Sequence, residues 1–264
     1  MATALITGGT SGIGHEFARQ LAQKSYDLVL VARDKQRLES VAEDLRTAYG
    51  VNVDVLPADL SDRDQLQTVA TRLAETDRPI DLLVNNAGFG VHSKMLADDL
   101  HPQDIAIDVM IRGVMVLANA AGRAMRDRHP GPGDKIGIIN VGSTAGYVTM
   151  GAYSAIKAWV TVYTEGLANE LDGTGVLVTV LCPGWVHTEF HQRAGINASK
   201  IPGPLWLNAD RLVRDALVDY ERGQVISIPT KRYKVLIGIA RIAPRPLIRR
   251  VSKLFSSGRH SGTE

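Results

Sequence analysis

The chain contains a single cysteine, Cys182, so no disulfide can form within it and nothing in its sequence points to an oxidising compartment. No apolar run approaches the roughly 20 residues of a membrane span; the run Val235–Ile237 is cut at Gly238. Strand-like sequence begins almost at Met1, which leaves no room for a cleaved leader, so a cytoplasmic protein is expected. Internal repeats and low-complexity linkers are also missing. Cys182 precedes Pro183 at a strand end, where a buried structural thiol is expected rather than a nucleophile.

What is present fits one large α/β domain. The chain has 264 residues, 45% of them hydrophobic, enough for one well-buried core. Short β-rich runs alternate with helical patterns: Ala2–Thr7, Asp27–Ala32, the Val51/Val53/Val55 alternation, Ile80–Val84, Ile136–Val141, Val176–Leu181 and Val225–Ile228 read as strands. Helices are expected over Ser11–Gln23, the Leu38–Leu45 stripe, and about 62–74, 102–126, 152–171 and 209–221. This rhythm predicts a Rossmann-like, doubly wound parallel sheet of about seven strands with helices on both faces. The least regular stretch, about 185–208, carries Trp185, Phe190 and Trp206 and is expected to be a substrate loop.

Charge divides the chain in two. Nine of the 30 Lys/Arg but only one of the 28 Asp/Glu lie at or beyond Lys231, giving the tail +8 and the first 230 residues −6. The expected organisation is therefore a dinucleotide-binding domain over 1–230 and a basic amphipathic extension over 231–264. In that extension Lys231, Lys234, Arg241 and Arg245 fall on one helical stripe, opposite Leu236, Ile239 and Ile242. After Pro244-Arg-Pro246, an apolar stripe of Leu247, Val251, Leu254 and Phe255 runs beside Arg249, Arg250 and Lys253. Three uses of this pattern stand open: peripheral contact with an anionic membrane, packing on the protein itself or on a neighbouring subunit, and plain solvation. Nucleic acid is not expected as a partner.

Chemistry is carried by two motifs. Thr7-Gly-Gly-Thr-Ser-Gly-Ile-Gly14 follows a strand and opens a helix. There Gly8 would permit the tight turn, Gly12 would let backbone approach a pyrophosphate, and Gly14 would allow close packing. Tyr153 and Lys157 are four residues apart, on one face of a helix. A lysine ammonium beside the phenol would lower its pKa toward working pH, giving a donor and acceptor for alcohol–carbonyl chemistry. His187 and His191 share a metal-like spacing, but no third ligand is evident and no metal is expected.

These motifs, together with Asp59-Leu60, Asn85-Asn-Ala-Gly88, Ser143 and Pro183-Gly-x-Val-x-Thr188, resemble the short-chain dehydrogenase/reductase (SDR) family over about residues 1–230. The resemblance implies an oxidoreductase moving hydride between a nicotinamide and a carbonyl/alcohol substrate. It makes Tyr153 the general acid/base, Ser143 the donor to the substrate oxygen and Lys157 the holder of the nicotinamide ribose. It also implies cofactor contacts from Gly8, Thr10, Ser11, Gly12, Ile13, Gly14, Asp59, Leu60, Asn86, Ala87, Gly88, Pro183, Gly184, Val186 and Thr188. A homodimer or homotetramer paired through about 102–126 and 152–171 is expected on the same ground.

Two departures bear on activity. Met110 occupies the position where the family usually has an asparagine, and a thioether cannot hold that asparagine's relay water. Ser143 and Tyr153 are ten residues apart, a shorter spacing than the family's habit. Strand two ends Val31-Ala-Arg33, with no carboxylate for a ribose 2′-hydroxyl and a guanidinium suited to a 2′-phosphate; Asp34 just beyond opposes that choice. NADP(H) is expected over NAD(H). An apolar substrate is expected from the aromatic residues of 185–208. The rival reading is a non-catalytic NADP(H)-binding redox sensor or scaffold.

Overall fold

The structure, a computed structural model, describes residues 1–91, 93–131, 133–187 and 203–256. The elements in order are β1 (Thr3–Thr7), α1 (Gly12–Gln23), β2 (Asp27–Ala32), α2 (Lys35–Tyr49), β3 (Val53–Pro57), α3 (Arg63–Ala74) and β4 (Leu82–Asn85). There follow α4 (His101–Ile107), α5 (Gly113–Asp127), β5 (Gly137–Val141), α6 (Ala152–Glu170), β6 (Leu177–Leu181), the short β7 (Trp185–Val186) and β8 (Trp206–Leu207). The described chain ends with α7 (Ala209–Glu221), β9 (Ile226–Ser227), α8 (Lys231–Ile242) and α9 (Arg245–Ser256).

Seven strands form one parallel sheet in the order β3-β2-β1-β4-β5-β6-β9. Period-two alternation drives it. Ala4 and Ile6 of β1, Leu28 and Leu30 of β2, and Leu82 and Val84 of β4 share one core with Phe17, Leu38 and Leu212 of α1, α2 and α7. Leu5, Val29, Val31 and Leu83 point the other way, into a second core with Val69 of α3 and Leu117 of α5. Burial on both faces explains why the strands read as near-continuous aliphatic runs. Chain order reverses between β1 and β4, so a crevice opens at their carboxyl ends, the usual place for a ligand in such sheets.

The helix expected over 102–126 differs from expectation at its centre. A π-helical turn, Asp108–Arg112, separates α4 from α5 and contains Met110. Taken as one 27-residue rod, His101–Asp127 is long and apolar enough to cross a bilayer, but half of its apolar window is buried in the core. That explains its composition without a membrane.

The structure decides which face of the tail packs. The packed face of α8 is Tyr233 and Ile237, which join Val160, Val180, Cys182 and Ile228 in a third core. The stripe of Leu236, Ile239 and Ile242 faces solvent. Among the described side chains of α9, which do not include Leu254 and Phe255, Ile248 and Ser252 are buried, whereas Leu247 and Val251 are exposed. Helix α8 carries two apolar stripes, and the one with the tyrosine packs because its hydroxyl also finds partners. Tyr233 Oη accepts from Trp185 N at 3.1 Å and donates to Leu205 O at 2.8 Å.

Candidate active site

The glycine loop lies at the mouth of the crevice. Gly8 sits at φ +68°, where a non-glycine residue would be strained, and its N–H donates to Val31 O at 2.8 Å. A Cβ on Gly14 would overlap Gly8 O and Asn86 Nδ2, so this position needs glycine for close approach. Asn86 holds the loop from the β4 side: its Nδ2 donates to Thr7 O (3.0 Å) and Gly8 O (3.2 Å). Thr7 Oγ1 accepts from Asn86 N and Ala87 N at 2.9 and 3.0 Å. Ser11 caps α1 with extended backbone, and Ile13 packs on the first core. The first helical turn is thereby aimed at the crevice with its N–H groups toward any bound anion.

Around this loop the residues expected to hold a cofactor divide. Asp59 lies beside Arg33, with Oδ2 3.8 Å from Nη1. Burial alone would raise its pKa, but hydrogen bonds from Ser61 and the Arg33 charge outweigh it and hold the carboxyl below its ordinary value. The Leu60 side chain is buried in the second core. Gly88 lies against Met110, whose Sδ would be 3.0 Å from an added Cβ. Arg37 was missed by the sequence reading. Its Nε donates to Thr10 O at 3.2 Å, tying α2 to the glycine loop. The spacing of one helical turn from Arg33 was the signal. Asp34 caps α2, its Oδ1 accepting from Arg37 N at 3.0 Å, so the opposing carboxylate is engaged with backbone.

Ser143, Tyr153 and Lys157 converge at the carboxyl end of β5. Ser143 caps a 3₁₀ turn, Thr144–Tyr147, and its Oγ accepts from Ala145 N at 3.1 Å. Burial pushes the Tyr153 phenol up to about 12, and the Ser143 side chain, near it despite the short spacing, offsets part of that rise. Lys157 Nζ donates to Val141 O at 2.7 Å and lies 5.8 Å from the centre of the Tyr153 ring. Burial brings Lys157 down to about 8. The depression of the tyrosine by the lysine, expected from the sequence, is therefore not what this geometry gives. Both groups are desolvated, and that cost exceeds the attraction between them.

Behind these side chains is a polar chain the sequence reading also missed. Asn85 Nδ2 donates to Asn140 Oδ1 (2.9 Å), and Asn140 Nδ2 donates to Thr164 Oγ1 (3.0 Å), stapling β4, β5 and α6 together. A polar residue inside Ile-Ile-Asn-Val was the available signal. Met110 is 1% exposed and packs with Ala106 and Ile156 beneath Tyr153. Its surroundings are apolar.

On the other side of the crevice, Pro183 O accepts from Thr144 N (2.9 Å) and Thr144 Oγ1 (3.1 Å). The Tyr233 ring fills the space where a Gly184 side chain would stand. Val186 pairs with Leu207 in the small β7–β8 ribbon, where His187 stacks on Trp206 at 4.4 Å and Trp185 tilts against it at 6.4 Å. Thr188, Phe190 and His191 lie outside the described residues. Among the described residues no group of three metal-ligating side chains occurs. Cys182 is buried in the third core, and burial pushes its thiol up.

Comparison with known proteins supplies context for this geometry. The family model described as short chain dehydrogenase matches residues 2–198. Sulfoacetaldehyde reductase 2 of Chromohalobacter salexigens is 37% identical over 190 residues, covering 70% of this chain and 73% of that protein. An uncharacterised oxidoreductase of Staphylococcus saprophyticus is 35% identical over 188 residues, 70% of this chain and 78% of its own. Among solved structures, a short-chain dehydrogenase from Sphingobium yanoikuyae in complex with NADPH superposes with TM-score 0.81 at 33% identity, covering 100% of this chain and 99% of that one. A bulky-bulky ketone specific alcohol dehydrogenase from Comamonas testosteroni gives 0.77 at 29% identity, covering 100% and 97%.

Proposed function

The chain belongs to the short-chain dehydrogenase family, and on that premise we propose that it is an NADP(H)-dependent enzyme interconverting a carbonyl and its alcohol, with Tyr153 as the general acid/base. The convergence of Ser143, Tyr153 and Lys157 at the carboxyl end of β5, with Lys157 Nζ on Val141 O and 5.8 Å from the centre of the Tyr153 ring, carries this reading. The crevice suits a dinucleotide: the loop packs closely at Gly8 and Gly14, where a Cβ would strike Asn86 or Gly8 itself, and the start of α1 turns its N–H groups toward the opening. When bound, NADPH supplies the hydride that reaches the carbonyl carbon. Ser143 Oγ then steadies the charge developing on the substrate oxygen, and Tyr153 Oη, protonated at neutral pH, delivers the proton that completes the alcohol. Lys157 Nζ, held at Val141 O, stands one turn behind, where it would hold the nicotinamide ribose. In the reverse direction Tyr153 receives the proton.

NADP(H) is favoured over NAD(H) by Arg33 and Arg37 beside the loop and by the absence of a carboxylate at Ala32. The Arg33–Asp59 pair opposes this weakly, since its guanidinium is 76% exposed and so well screened. The Trp185–Trp206 ribbon supports an apolar substrate. Pairing of subunits through α5 and α6 is part of the same reading, supported by exposed Met115 and Val162 there. A second reading, a non-catalytic NADP(H)-binding sensor or scaffold, draws on the dry apolar setting of Met110. Titration with both cofactors and a screen of ketones and aldehydes for NADPH consumption, run beside Tyr153→Phe, separates the readings. The expected result is tighter NADPH binding and turnover that falls by about 10³-fold in the variant. Tighter NADH binding overturns the cofactor choice. Turnover indifferent to the substitution, or none on any carbonyl, overturns the enzyme.

A further inference from the structure

We propose that α8 and α9 form a docking face for an anionic lipid surface. Helix α8 is apolar on opposite sides. Tyr233 and Ile237 are packed in the third core, while Val235, Ile239 and Ile242, spaced i, i+4, i+7, form a second stripe on the far side with exposures of 61%, 57% and 85%. A surface helix that buries one stripe has no need of another. In α9, Leu247 and Val251 repeat the pattern at 52% and 41% exposed, beside the buried Ile248 and Ser252.

Charge selects the occupant. Between Lys231 and Ser256 there is no Asp or Glu. Lys231 and Arg232 precede the exposed stripe of α8, and Arg245, Arg249, Arg250 and Lys253 accompany that of α9, all six exposed. A two-fold contact with a second copy would set these cations against themselves, because such an interface is self-complementary. Nucleic acid would answer the charge but not the aliphatic residues among it. An anionic bilayer answers both, taking isoleucine, leucine and valine into its acyl boundary and basic side chains among its headgroups. The rest of the body carries net negative charge and would be repelled, which orients the molecule with these two helices toward the lipid.

The test uses the full chain and sedimentation with vesicles of phosphatidylcholine alone or with about one-third phosphatidylglycerol. The protein is expected to pellet with the anionic vesicles only and to be released by raised salt. The double variant Ile239→Asp/Ile242→Asp should lose about tenfold in partitioning while keeping its melting temperature and NADPH affinity. Arg249→Glu/Arg250→Glu, which leaves the apolar stripe of α8 intact, should remove the preference for anionic lipid. Failure to pellet with either vesicle, equal pelleting with both, or variants that bind as well as the parent overturns the proposal. A light-scattering mass that halves in the isoleucine variant, with no vesicle binding by the parent, would instead make this face a contact between copies and overturns it equally.

Discussion

The two sides of the crevice are built by different means. On the β1–β4 side, the loop from Thr7 to Gly14 is shaped by backbone: a positive φ at Gly8, a contact at Gly14 that excludes a Cβ, and N–H groups gathered by Thr7 Oγ1. On the β5–β6 side, shape comes from large side chains brought from far along the chain. Tyr233 fills the space over Gly184, Arg241 lies 5.4 Å over the Tyr147 ring, and Ser252 Oγ accepts from Thr149 N at 3.1 Å. The first side takes its shape from backbone, held by Asn86 and Ala87 beside it. The second is assembled by packing between segments far apart in the chain.

Four substitutions probe that contrast, in falling order of effect. Gly14→Ala should be the most damaging, because the atoms its Cβ would strike belong to the rigid loop and to Asn86. A loss of about 3 kcal/mol or more in stability, with NADPH affinity abolished, is expected from denaturant melts and titration. If Gly14→Ala binds NADPH normally, the backbone account of this side is wrong.

Lys157→Met should stabilise the protein while removing activity. The buried ammonium has its pKa lowered from 10.5 to about 8, worth about 3 kcal/mol at most. Because the folded state holds the proton less tightly, the unfolded chain binds more protons between about pH 8 and 10.5. Parental stability therefore carries its full penalty below pH 8 and recovers as pH rises through that window. Urea melts should show the advantage of Lys157→Met shrinking over the same range; a constant advantage would remove the lysine's titration as its cause.

Gly184→Ala should cost about 1–3 kcal/mol by displacing the Tyr233 ring. Tyr233→Ala in the same chain should recover part of that cost, a non-additivity that a double-mutant cycle reads directly. Additive effects would mean the two residues do not meet. Smallest is Ser252→Ala, which leaves Thr149 N without its acceptor and should cost about 1 kcal/mol. It should alter kcat for bulky carbonyls more than the Kd for NADPH, since Thr149 lies between Ser143 and Tyr153.

Legibility in the sequence follows the same division. The sheet strands were readable because each is buried on two faces, and the structure moves their ends by only a residue or two. The glycine loop was readable because its glycines answer to local stereochemistry. Met110 was singled out from the sequence, but the π turn around it was not, since it leaves the hydrophobic pattern of 102–126 unbroken. In α8 periodicity found the stripe of Leu236, Ile239 and Ile242 but not the second one, since only packing shows that Tyr233 and Ile237 are the buried pair. The protonation of Tyr153 and Lys157 was illegible for a related reason. Spacing reveals their proximity, but desolvation is a property of everything that surrounds them.

The bond from Thr149 to Ser252 has a further consequence, for the order in which the molecule can be finished. Every residue of the glycine loop and its β4 clamp precedes β5 in the chain, whereas Thr149, set between Ser143 and Tyr153 in sequence, waits for a serine 103 positions downstream. A nascent chain halted in the interval would own a completed nucleotide cradle and an unfinished reaction chamber.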